Sequence, residues 1–179
     1  MKNNQPRRYT ESGFAMPQHS LSDVEYEQAM RALVIVCTDV CIIDSSEKKI
    51  YLAFRRARPA SGWWYIGGRA FAGETEIESI LGCFHRETGM EIAAERFQFI
   101  SMNRYQWKDR AQEPINVGCD SLCYTYALEL SGEERLKVAK SLDQKEYTHE
   151  IGLRGFTRAE LISENVLPQI IDFYDKVFV

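Results

Sequence analysis

Apolar residues follow two rhythms along this chain, and each change of rhythm marks an element. From Leu33 to Asp44, Val, Ile and Cys follow one another almost without a break, which predicts a buried strand. Ser45-Ser46-Glu47-Lys48-Lys49 reads as a turn, Ile50 to Phe54 as a second strand and Trp63 to Ile66 as a third. Phe97 to Tyr105 and Ser121 to Leu130 complete the strand set. Between them the spacing becomes helical. Ser22 and Glu25 have the separation of a capping box, ahead of Val24, Ala29 and Met30. Thr75 and Glu78 repeat it before Ile77, Ile80, Leu81 and Phe84, and Gly89 ends that helix. Gly132 to Leu142 is polar and predicts no more than a turn of helix. Thr157 and Glu160 open a short helix, and Leu167, Ile170, Ile171 and Tyr174 give the last one an apolar stripe. Strands interrupted by two or three helices predict a layered α/β or α+β fold.

Residues 1–20 are polar and aperiodic, so a loosely held segment is expected there, with a single domain over 21–179. A chain of 179 residues hides roughly 70% of its unfolded surface, enough for a real core. Lys and Arg number 22 against 26 for Asp and Glu, a formal net charge of −4. Such a chain has no bulk attraction to nucleic acid or to an anionic membrane, although a local basic patch can still hold phosphate. The longest wholly apolar run, Ala32 to Cys37, is far short of the roughly 20 residues a membrane helix needs. The charged N-terminus has no apolar region behind it, so no secretory signal and a cytoplasmic address are expected. Five cysteines (Cys37, Cys41, Cys83, Cys119, Cys123) sit in apolar stretches without zinc spacing and read as buried small hydrophobes in a reducing compartment.

Candidate chemistry concentrates in Gly67-Gly68-Arg69-Ala70-Phe71-Ala72-Gly73-Glu74 and the helix behind it, which ends Arg86-Glu87-Thr88-Gly89-Met90. Glycines ahead of a helix let backbone approach a phosphate, and the helix N-terminus favours an anion. The spacing resembles the signature of the Nudix hydrolase superfamily. Gly68, Glu74, Phe84, Glu87, Gly89 and Met90 are in place, while Gly82 stands for the signature's Arg, and Cys83 and Arg86 each stand for a Glu. A thiol and a guanidinium are poor partners for magnesium, which wants oxygen ligands. A similar loss that keeps the last Glu is seen in the GDP-mannose mannosyl hydrolase branch. Tyr51 to Trp64, Asp120, His149 and Ser163-Glu164-Asn165-Val166 resemble that branch too, so the likeness spans residues 22–170.

The resemblance implies a Nudix-type mixed sheet between helices. It implies Mg2+ or Mn2+ held by Glu87 and Gly68, Arg69 on a diphosphate, and Arg56 or Arg58 on the phosphate or sugar. His149 would be general base, with Glu150 as its competitor; imidazole titrates near neutrality and suits the role. Thr148 stands where the branch carries a Gln metal ligand. Glu74 and Gly89 would be structural. Trp107, in a polar loop from Asn103 to Asn116, is a candidate for base stacking. Arg86 either reaches the phosphate or folds against Glu87. The implied reaction is attack of water on the sugar C1 of a nucleoside diphosphate sugar by a homodimer. Two alternatives stand beside it. One is a pyrophosphohydrolase attacking phosphorus, with Asp120, Glu146 or Glu150 rebuilding the metal site. The other is a nucleotide-binding domain that has lost catalysis.

Overall fold

The computed structural model describes residues 6–17 and 19–179. The expectation of a loose N-terminal segment lies outside the described residues for 1–5 and 18. Residues 6–17 carry no helix or strand, and Arg8 of this segment donates to the Glu74 carbonyl at 2.9 Å.

The elements run α1 (Asp23–Ala32), β1 (Ile35–Asp44), β2 (Lys49–Arg55), β3 (Gly62–Trp64), β4 (Ile66–Arg69) and α2 (Glu76–Thr88), followed by a 3-10 turn at Ala94–Arg96. Then come β5 (Phe97–Trp107), β6 (Cys119–Glu129), α3 (Gly132–Ser141), β7 (Leu153–Phe156), α4 (Arg158–Ser163) and α5 (Pro168–Phe178). The strands form one mixed sheet in the order β3-β2-β1-β6-β5, with β4 added on β1 and β7 on β2. β1 is central. One edge runs parallel to β6 from Ile35 to Ile43. The other pairs antiparallel first with β4, at Cys37 to Val40, and then with β2, at Ile42 to Asp44.

This placement explains why β1 is apolar throughout rather than alternating. Cys41 and Ile43 enter a core with Leu52, Tyr65, Phe156, Leu161, Ile170 and Phe173, beneath α4 and α5. Val40 and Ile42 enter a second core with Ile66, Ile80, Phe84, Leu128 and Val138, beneath α2 and α3. A strand covered on both faces needs apolar side chains in both directions. The result is a layered α/β domain, its mixed sheet sandwiched between helices.

Four elements differ from the sequence reading. The third expected strand, Trp63 to Ile66, is two: β3 on β2, and β4, through Arg69, on β1. Gly132–Ser141 is a full helix, α3, closed by a Ser131–Glu134 capping box; it is polar because Val138 is its one buried residue. β7 is a further strand, held by β2 rather than by any pattern of its own. β5 continues to Trp107, which pairs with Cys119, so Trp107 ends a strand instead of sitting in a loop. No helix among the described residues is long and apolar enough to cross a membrane.

Candidate functional site

β4 carries Gly67-Gly68-Arg69 along the edge of β1, with Gly67 opposite Asp39 and Gly68 opposite Thr38. The contact requires glycine at 67: a Cβ there would lie 2.2 Å from the Thr38 carbonyl oxygen and 2.7 Å from the Asp39 Cα. The loop to α2 closes on itself, as the Phe71 amide donates to Glu74 Oε2 at 2.9 Å. Thr75 caps the helix with Glu78 reciprocating. Ser79 and Thr38 share a hydroxyl hydrogen bond of 3.0 Å that fixes α2 on β1. Gly89 ends α2 in the left-handed conformation, φ 66°.

Between β4, the last turns of α2 and the loops around residues 58 and 110 lies a cleft of about 420 Å3. Arg55, Arg58, Arg69, Arg86 and Arg110 line it, with Asp39, Glu87, Asp120 and Glu146. Trp64 and Trp107 form an apolar wall, their rings packed edge to face with centroids 5.4 Å apart. Trp107 is fixed there by donating to Ser121 Oγ at 3.1 Å.

Most of the charges have defined partners. Arg55 holds Glu146 at 3.0 Å, and Asp120 is held by Arg104 at 2.8 Å. Glu87 is buried; its Oε1 accepts from Arg86 at 2.8 Å and its Oε2 accepts from the Tyr147 hydroxyl. Burial pushes the Glu87 carboxyl up from its ordinary range, against the pull of Tyr147 and Arg86. Arg69 forms no ion pair among the described residues; its guanidinium lies 4.1 Å over the Tyr26 ring. Arg110 is fully buried. It donates to Glu27 at 3.0 Å, yet its Nη1 has no partner. Asp39 is 5% exposed and makes no ion pair among the described residues. Burial, with Glu87 adding and Arg55 opposing, pushes its carboxyl up to about 7. A cleft carboxyl poised near neutrality can exchange protons under working conditions.

Several residues singled out in the sequence fall elsewhere. His149 is exposed, lies off the cleft and spends its Nε2 on the Leu142 carbonyl. The same loop instead sends Tyr147 to Glu87. Glu150 is also exposed and off the cleft. Arg56 points away to the Gln144 carbonyl, and its neighbour Arg55 is the one inside. Sequence reasoning passed over Asp39, Arg55, Arg110 and Tyr147. Asp39 had a signal, since it is the one carboxylate in the apolar run from Leu33 to Ile43.

The implied metal pair, Glu87 and Gly68, does come together: a Cβ built on Gly68 would lie 3.9 Å from Glu87 Oε1. The same Cβ position is 3.1 Å from an Arg86 terminal nitrogen. Among the described residues no three of His, Cys, Asp and Glu converge as metal ligands do. A hard divalent ion needs several oxygen donors, and a fixed guanidinium beside it repels it. With both Glu87 oxygens already engaged, these residues do not fit such an ion.

No family model and no curated protein matches the chain in sequence. Solved structures match its fold. A MutT protein from Methanosarcina mazei superimposes with a TM-score of 0.57 at 12% identity, over 80% of this chain and 91% of its own. The E. coli dihydroneopterin triphosphate pyrophosphohydrolase gives 0.55 at 13% identity, over 80% and 94%. A C. elegans Ap4A hydrolase gives 0.51 at 11%, over 81% and 96%. The fold is therefore of the Nudix type.

Proposed function

We propose that the chain is a Nudix-type hydrolase of a small molecule bearing a diphosphate, with a nucleoside diphosphate sugar as the substrate class that the sequence resemblance favours. The observation carrying this reading is the convergence of Arg55, Arg58, Arg69, Arg86 and Arg110 on one cleft beside the Gly67–Arg69 strand. Guanidinium groups meet phosphate oxygens through paired N–H donors, and only part of their donor capacity is spent within the protein. The fold adds support, since two similar structures are named as hydrolases of Ap4A and of dihydroneopterin triphosphate.

In this reading the arginines bind the diphosphate and stabilise charge that develops on the leaving group, which is electrostatic catalysis by fixed donors. The Trp64–Trp107 wall offers an apolar surface to a base or sugar. Asp39 accepts the proton of the attacking water. Glu87, Asp120 and Glu146 are each held by an arginine, which leaves Asp39 as the cleft carboxylate outside any ion pair among the described residues. His149 lies off the cleft, and this reading gives it no part in the step.

A screen of nucleotide sugars and dinucleotides with identified products tests this. Free sugar with nucleoside diphosphate means attack on the sugar, and nucleoside monophosphate with sugar phosphate means attack on phosphorus. Tight binding without turnover supports a second reading, a nucleotide-binding domain, which the closed Arg86–Glu87 contact favours.

A further inference from the structure

We infer that the guanidinium of Arg86 stands in the place of a divalent cation, so that the cleft binds a diphosphate without metal. The inference rests on the reading of the cleft as a diphosphate site and concerns how that site supplies its charge.

Three observations carry it. Arg86 is held, not free: its Nη2 donates to Glu87 Oε1 at 2.8 Å, and the Tyr147 hydroxyl bonds the other oxygen of the same carboxylate. The guanidinium also occupies a slot made by the backbone, because a side chain at position 68 would place its Cβ 3.1 Å from Nη2 and 3.6 Å from the Cys83 sulfur. Finally, the charge is usable. The Arg86 side chain keeps 51% of its surface accessible, whereas Glu87 keeps 4%. The carboxylate thus anchors the guanidinium, and the half-exposed Arg86 side chain lines the cleft.

Substitution at two positions makes the exchange coherent. Cys83 and Arg86 lie one helical turn apart on α2 and both meet Gly68. A thiol in place of a carboxylate removes negative charge, and an arginine adds positive charge, so the pair shifts the local balance from cation-binding to anion-binding. Glu87 then acts as a positioning residue for Arg86. Tyr147 fixes Glu87 in turn.

Calorimetric titration of the intact chain with inorganic pyrophosphate, once in EDTA and once in excess Mg2+, tests the inference. The expected result is binding in EDTA with an affinity within about threefold of that in Mg2+. Arg86→Gln, which keeps a donor for Glu87, is expected to weaken binding in EDTA tenfold or more, and Arg86→Lys to restore part of it. Pyrophosphate binding that needs Mg2+ overturns the inference and leaves the diphosphate reading intact. Undiminished binding by a folded Arg86→Gln chain also overturns it. Absence of binding in both buffers overturns the inference together with the reading beneath it.

Discussion

The two ends of α2 obey different constraints. At its start, Gly67, the Phe71–Glu74 loop bond and the Thr75–Glu78 box build a backbone shape. At its far end Arg86 and Glu87, which line the cleft, and Cys83, buried beside Gly68, set what that shape can hold. The first region keeps Gly68 and Glu74, where the sequence resembles the Nudix signature, whereas the second keeps Glu87 and has Cys83 and Arg86 for its companions. Turn geometry and helix capping depend on a few residue types with no substitutes, so they tolerate little change. Ligand chemistry can be re-posed on the same backbone by exchanging charges.

The difference is sharpest where a scaffold residue has no room. Gly67→Ala drives a Cβ into backbone atoms at 2.2 and 2.7 Å, so a loss of about 3 kcal/mol or more is expected in urea unfolding. Asp39→Asn should do the reverse to stability while lowering turnover roughly 10²- to 10⁴-fold. The sign follows from the raised carboxyl, which burial pushes from 3.8 to about 7. The folded state keeps a proton that the unfolded state releases above about pH 4, so stability falls as pH rises from 4 to 7. At pH 8 the ionised Asp39 costs about 2 to 4 kcal/mol, and the Asn variant should melt several degrees higher. Equal melting temperatures at pH 8 would show that Asp39 carries no such penalty.

Smaller effects belong to the caps. Thr75→Ala removes the acceptor for the Glu78 amide at 3.1 Å and should cost about 1 kcal/mol in thermal or urea unfolding, with pyrophosphate affinity unchanged. The smallest effect is expected at His149, which lies off the cleft. Turnover and pyrophosphate affinity of His149→Ala should stay within about twofold of wild type; a hundredfold loss of turnover would return the base to that loop.

The parts of this contrast that the sequence disclosed are those encoded locally. Capping boxes at Ser22, Thr75 and Thr157 are four-residue patterns, and the structure forms all three. β1 was legible from its unbroken apolar run. β7 was not, because Leu153 to Phe156 is too short to show a period and exists through pairing with β2. α3 hid behind its polar surface. The arginines show the same divide: Arg69 follows a visible Gly-Gly pair, but Arg55 and Arg110 reach the cleft through long-range packing, Arg110 through an ion pair with Glu27 far away in sequence. Asp39 was readable as a lone carboxylate in an apolar strand, but its place in the cleft follows from β4 and α2 closing around it.

If the scaffold is intact and only its chemistry has been exchanged, putting back the carboxylates should put back the metal. Mn2+ binding followed by electron paramagnetic resonance, on the wild-type chain and on a Cys83→Glu/Arg86→Glu variant, measures this directly. The expected result is one bound Mn2+ per variant chain and none on the wild type at the same concentration. Equal Mn2+ binding by the wild-type chain, or none by a folded variant, would contradict it.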